Sequence, residues 1–305
     1  MRPLSSRPLL ACLPLAVAVV LLGCQGSDSG SESSTPSGPN LLTYSRVDEA
    51  WDVSRGKGTV VAILDWQFDL SGAEAEKYVD PVSMVPGEEI GQLKPWHGEW
   101  MAEIVHRVAP EARILPIKAR KLGSDEYQDY LVAGIRHAAD QGACVVCSSM
   151  GPAWRSEELT RAIDYAEERG TLFVNVHPEV LPGEDGRGRF CEAGDCDARI
   201  LRTGVVAVPD HPATPHPGRN LYTWPYDLEA HWEDGWGYSN APPTVAGTVA
   251  LMKSACSALT PADIRWLLVE TAEMRDGFAV LDAAAAVRAA AARGDAARTG
   301  GQGTR

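Results

Sequence analysis

From Gly56 onward the chain alternates short apolar runs with longer amphipathic stretches. The runs Thr59–Leu64, Arg113–Lys118, Cys144–Ser148, Thr171–Val176 and Gly204–Val208 are rich in Val and Ile. They lack strict in–out alternation, as strands buried on both faces do. Between them, residues Asp125–Gln141 and Glu157–Arg169 carry apolar side chains at steps of three and four and stop beside Gly142 and Gly170. That spacing predicts helices closed by glycine caps. A helix is also expected from Trp96 to Val105, another through Thr248–Lys253, and an alanine-rich one over Ala283–Ala292. Strand–helix alternation of this kind predicts an α/β fold, a mostly parallel sheet with helices on both faces. Sites on such sheets gather beyond the carboxyl ends of the strands. No internal repeat interrupts the pattern.

The flanks follow other rules. Arg2 and Arg7 precede an apolar run, Leu9 to Leu22, shorter than the roughly 20 residues of a membrane-spanning helix. The run closes on Leu21-Leu22-Gly23-Cys24, which resembles the lipobox of bacterial lipoproteins. The resemblance implies loss of residues 1–23 as a signal peptide and acylation of Cys24, the competing reading being an ordinary secretory signal with an incidental cysteine. Several acyl chains hold a protein on a membrane where one does not. Residues 24–40 are Ser/Gly/Pro-rich with no large apolar side chain, the composition of a flexible tether. The folded domain is then expected over 41–290, followed by a flexible tail, 291–305. The expected location is exported and lipid-anchored, on the periplasmic or cell-surface face of a bacterial membrane.

Composition narrows the partners. Asp+Glu outnumber Lys+Arg by 41 to 28, giving −13, and no basic cluster is long enough to follow a phosphate backbone. Nucleic acid is therefore not an expected partner. Of the seven cysteines, Cys191 and Cys196 bracket a polar loop and suggest a local disulfide in an exported protein. Cys144 and Cys147 lie in an apolar strand and read as core. Neither pair has partners at zinc spacing, so no metal site is expected.

Three residues carry the candidate chemistry. Asp65 closes the first strong strand, His97 opens a helix, and Ser239 precedes the small-residue segment Asn240–Gly247 that runs into another. All three fall at the same edge of the expected sheet. An acid, a base and a hydroxyl meeting there suit acyl transfer, with the base deprotonating the serine and the carboxylate orienting the imidazole. An N-cap role for Ser239 alone is the plainer alternative.

The order Asp, His, Ser and the segments around them resemble the subtilases, the subtilisin-like serine peptidases. The resemblance spans about Ala50 to Ala272. It rests on Ala50–Gly58 before the strand ending at Asp65, on His97-Gly98, on Val108–Lys118, on Ala133–Ala143 with Ser149-Met150-Gly151, on Gly237-x-Ser239 with Pro243 and Val245-Ala246-Gly247, and on Leu259–Arg265. It implies a serine endopeptidase acting on peptides or proteins through Asp65, His97 and Ser239. Ser149, Met150 and Gly151 would then line the substrate. The resemblance allows structural calcium, for which the sequence offers no ligand set, and it implies no other cofactor.

The departures are specific. Trp66-Gln67 follow the aspartate where the family has Thr or Ser and then Gly, and Glu99-Trp100 follow His-Gly where it has Thr-His. Glu179 falls where the family carries its oxyanion asparagine, with Asn175 four residues earlier. Loss of one oxyanion donor costs about 10²–10³ in turnover. These departures support a rival reading, a catalytically attenuated or inactive subtilase-fold module that binds peptides or partner proteins. A second rival, a metal site from Glu99, Glu103 and His106 on one helix face, needs a second such motif that the chain lacks. His137, and the loop residues Asp210, His211 and His216, read as surface. Nine Trp against four Phe, with Trp66, Trp96, Trp100 and Trp236 near the three residues, suggests an aromatic wall around the site.

Overall fold

A nine-stranded sheet forms the scaffold. The structure is a computed structural model and describes residues 40–91, 97–121, 127–151, 153–176, 181–182, 188–189, 196–208, 211–212, 220–223 and 237–300. The sheet strands are β1 (Val60–Asp65), β2 (Val82–Ser83), β3 (Arg113–Lys118), β4 (Val145–Ser148), β5 (Leu172–Val176), β8 (Leu201–Val205), β11 (Leu221–Thr223), β12 (Glu273–Arg275) and β13 (Phe278–Val280). Two short antiparallel pairs lie outside it, β6 (Leu181–Pro182) with β7 (Gly188–Arg189), and β9 (Ala207–Val208) with β10 (His211–Pro212). The order across the nine-stranded sheet is β12-β13-β11-β8-β5-β4-β1-β3-β2, and all its pairings are parallel except β12 with β13. The expected strand at Gly204–Val208 is shifted and broken, because β8 stops at Val205 and Val206 turns the chain into β9.

The helices are α1 (Leu41–Tyr44), α2 (Val47–Ala50), α3 (His97–Val108), α4 (Gln128–Asp140), α5 (Glu157–Glu168), α6 (Ala241–Ala255), α7 (Pro261–Glu270) and α8 (Ala283–Gly300). They divide between the sheet's two faces, each with its own core. On one, Leu131 and Ile135 of α4 and Leu159 and Ile163 of α5 meet Ala62, Leu64, Leu115, Ile117, Val146 and Phe173. On the other, Met101 and Val105 of α3 and Val245 and Val249 of α6 meet Val61, Ile63, Val145, Val174 and Leu201. Successive β1 residues thus feed opposite cores, so no polar position interrupts the strand before Asp65. The glycines after α4 and α5, Gly142 and Gly170, hold φ of 72° and 82°. That left-handed conformation ends each helix as the sequence predicts.

Helix α6 is buried from Ala241 through Met252 on every side. Its small residues allow this. A Cβ on Gly247 would lie 2.7 Å from the Cβ of Val108 on α3, so the two helices approach to near contact there. Helix α8 runs past residue 290, where the sequence reading ended the domain. Ala290 is fully buried, and Gly294 lies against Cys256 with no side chain to displace it.

Candidate active site

The carboxyl ends of β1, β4 and β5 place Asp65, Ser148 and Asn175 along one edge of the sheet. Asp65 is the last residue of β1 and is fully buried. Its Oδ1 accepts from the backbone N–H of Trp66 at 2.7 Å. His97, 6% exposed, brings Nδ1 to 2.9 Å from Oδ1 and 2.8 Å from Oδ2. Two side chains 32 residues apart are therefore joined in a buried carboxylate–imidazole pair.

Gly98 makes the pair sterically accessible. Its N–H donates to the carbonyl of Gln67 at 2.9 Å. A Cβ on residue 98 would stand 2.6 Å from that carbonyl oxygen and 2.7 Å from the Phe68 ring. The start of α3 can press against the loop after Asp65 only because residue 98 has no side chain. Gly98→Ala is expected to push His97 away from Asp65 and to lower kcat by about 100-fold, the cost of roughly 1 Å of misplacement. Unchanged turnover with an unchanged melting midpoint would show that this contact does not set the pair.

Two of the four tryptophans of the expected aromatic wall flank the imidazole. Trp66 stacks on His97 at 5.6 Å between centroids with 23° between planes, and Trp100 meets it edge-on at 6.2 Å. Trp96 and Trp236 lie outside the described residues. The guanidinium of Arg120 sits 4.4 Å over the Trp66 ring. Lys118, fully buried, donates from Nζ to the carbonyls of Trp66 and Arg120 and pairs with Glu88 at 3.0 Å. This cation ties the loop after Asp65 to the chain leaving β3. Neither contact has a sequence signature, because each depends on which strands are neighbours.

Ser239 lies in a 3-10 turn, Gly237–Asn240, two residues before α6 begins, and is half-buried. The turn lies alongside β8 and also approaches α3 and β9. Its main chain is held from the β4 side, where the Ser149 hydroxyl donates to the Ser239 carbonyl at 2.8 Å. The first turn of α6 contains Pro242 and Pro243, which have no N–H to offer.

The segment Ser149-Met150-Gly151 leaves β4 after its last ladder partner, Ser148 opposite Asn175. Gly151 has φ of 140°, a left-handed value that favours glycine. Asn175 is corrected as an oxyanion candidate. Its Nδ2 donates to the carbonyls of Ser148 at 3.1 Å and Gly151 at 3.0 Å, so both amide protons are already committed to backbone. Glu179, Cys24 and Cys191 lie outside the described residues. Cys196 is buried beside Trp154. Cys144 and Cys147 are buried core thiols, and burial pushes Cys144 up to about 12.

Glu99 and its neighbours form an acidic edge to α3. Burial first, then Asp69, Glu74 and Glu103, raise the Glu99 carboxyl above its ordinary value. His106 Nδ1 is 2.6 Å from Glu74 Oε2, and Arg107 pairs with Glu103. Among the described residues no three His, Cys, Asp or Glu groups converge as a metal site, and these carboxylates do not assemble a calcium cage. A raised carboxyl binds its proton more tightly in the folded state. Ionised Glu99 therefore costs stability above its folded pKa, and the cost fades as pH falls through that value. Glu99→Gln should raise the melting midpoint at pH 8, with the gain shrinking in acid. Melts across a pH series check this, and a gain independent of pH would refute it.

The chain is similar to known proteins in both sequence and fold. The subtilase family model (Peptidase S8) matches residues 56–175, a stretch containing Asp65 and His97. Thermitase of Thermoactinomyces vulgaris is 26% identical over 264 residues, covering 80% of this chain and 91% of that protein. An intracellular serine protease of Paenibacillus polymyxa is 26% identical over 253 residues, covering 74% of this chain and 76% of its own. Among solved structures, MycP1 from Mycobacterium smegmatis superposes with a TM-score of 0.63 at 20% identity, covering 83% of this chain and 86% of that one. The fold is subtilisin-like, and the chain is similar in sequence to subtilisin-like serine proteases.

Proposed function

Taking a subtilisin-like fold with a subtilase-family segment as premise, we propose that the protein is a serine endopeptidase working through Asp65, His97 and Ser239. The buried Asp65–His97 pair at the carboxyl end of an interior strand is the observation that carries this reading. With Nδ1 facing both carboxylate oxygens, its proton is donated to Asp65 and Nε2 is left as the basic nitrogen. Nε2 takes the Ser239 proton as the hydroxyl oxygen attacks the peptide carbonyl, and the imidazolium then protonates the leaving amine. Asp65 holds the imidazole in orientation and stabilises its charge. The backbone N–H of Ser239 supplies one donor to the developing oxyanion. The approach of the Ser239 turn to α3 supports its place in the set.

Ser149-Met150-Gly151, beyond the end of the ladder, is the edge on which an extended substrate adds as a strand. The stacked Trp66 and the edge-on Trp100 screen the imidazole from water, and that exclusion strengthens its interactions with charge. The engagement of both Asn175 protons removes one candidate oxyanion donor and favours the second reading, an attenuated or inactive peptide-binding module. A serine-directed phosphonylating probe separates the two. Stoichiometric labelling of folded protein at Ser239 is expected, and no labelling would favour the module.

The site of action belongs to the same proposal. The lipobox-like Leu21–Cys24 and the Ser/Gly-rich stretch after it support an exported domain tethered to a membrane through acylated Cys24, with peptides or proteins as substrates.

A further inference from the structure

Strand β5 is apolar at Leu172, Phe173, Val174 and Val176, and Asn175 is the exception. Its side chain is 2% exposed and makes three hydrogen bonds. Besides the two donated by Nδ2, its Oδ1 accepts from the Ala153 N–H at 2.9 Å. A donor facing two carbonyls and an acceptor facing an N–H fix which way the carboxamide points. Its own carbonyl accepts from Thr203 Oγ1 at 3.3 Å. Every side-chain bond of Asn175 goes to one stretch of backbone, Ser148 to Ala153.

Burying a carboxamide costs free energy unless its bonds are made. Here the bonds made replace a ladder that has run out. β4 and β5 pair only as far as Ser148 and Asn175, and beyond that point β5 backbone no longer holds the chain leaving β4. The Asn175 side chain takes over, bonding the carbonyl of Ser148 before the substrate segment, the carbonyl of Gly151 at its end and the N–H of Ala153 after it. Gly151, at φ 140°, supplies the bend the clamp closes. Tyr127 bounds the other side, its Oη 3.0 Å from where a Cβ of residue 151 would stand.

We propose that Asn175 is a positioning residue for peptide binding, a buried clamp that sets the shape of Ser149-Met150-Gly151 so that an extended substrate can add to it. This rests on the reading of that segment as the docking edge. It reassigns Asn175 from contact with the oxyanion to action through the backbone that the substrate touches. Asn175→Asp keeps the shape and the acceptor for Ala153, but loses both donors and turns a carboxylate on two carbonyls. Asn175→Ala removes all three bonds.

The test has two arms on the full-length protein. In the first, kcat and KM are measured for a tetrapeptide p-nitroanilide, alongside the rate of phosphonylation of Ser239 by a small fluorophosphonate that does not reach the docking edge. Both variants should raise KM for the tetrapeptide by about tenfold or more, the loss of two bonds in Asn175→Asp and of three in Asn175→Ala, while the phosphonylation rate, linked to the segment only through the Ser149–Ser239 bond, falls by much less than KM rises. Equal losses on both substrates, or no change in KM, would overturn the proposal.

The second arm needs no turnover. In a Ser239→Ala background, binding of fluorescein-labelled casein is followed by anisotropy, and Asn175→Asp should weaken it by about tenfold. Unweakened binding, or no binding of casein by the parent, overturns the clamp as stated. A wild-type protein that refuses the fluorophosphonate, yet binds casein in a manner dependent on Asn175, would sink the peptidase reading and leave the clamp standing.

Discussion

Ser239→Ala should abolish cleavage of a peptide substrate, with kcat down by about 10⁶ and no label taken up from a phosphonylating probe. The magnitude follows from the role. Without the hydroxyl there is no acyl-enzyme, and the remaining acceleration comes only from binding and from whatever donors face the oxyanion. The fold should persist. Ser239 sits in a short 3-10 turn outside α6, and the bond that fixes its main chain comes from Ser149 to its carbonyl, which alanine also has. A melting midpoint within a degree or two of wild type together with lost turnover is the expected pair of results. Retained cleavage would assign the nucleophile elsewhere, and a collapsed midpoint would make the loss uninformative about chemistry.

Asp65→Asn carries the next largest effect, a fall in kcat of about 10⁴. Asparagine is isosteric, and its oxygen can still accept from the Trp66 N–H that now bonds Oδ1. What it loses is the charge. A neutral amide beside Nδ1 neither selects the tautomer that leaves Nε2 basic nor stabilises the imidazolium formed in the reaction. The effect should fall on kcat with KM little changed, since Asp65 is fully buried and cannot touch a substrate. A loss confined to KM would mean that Asp65 shapes the binding surface and does not serve the base.

Much of this arrangement is legible in the residue order. Val and Ile runs ending in a lone carboxylate locate β1 and Asp65, because a strand buried on both faces has no reason to carry charge until it leaves the sheet. The His97-Gly98 pair is legible as a motif, and its reason becomes visible only in three dimensions, where a Cβ on residue 98 would strike the Gln67 carbonyl. Asn175 was legible as a polar residue near the site but not in its role. Which carbonyls its protons meet depends on the register that sets Ser148 opposite it. The places of Lys118 and Arg120 have no signature in the residue order. Only the adjacency of β1 and β3 brings one beneath the Trp66 carbonyl and the other over the Trp66 ring. The domain boundary expected at 290 falls inside α8, because alanine gives helix propensity without showing how far neighbours will bury it.

The sheet's last strand has a bearing on how the protein behaves in company. β12 is three residues long, runs against β13, its only strand neighbour among the described residues, and carries Glu273 and Arg275 on either side of an exposed Met274. An open border of unpaired peptide groups invites another chain to join it. Brevity, reversed direction and a pair of charges make this border a poor template, so crowding many copies together gives them little opportunity to stack sheet upon sheet.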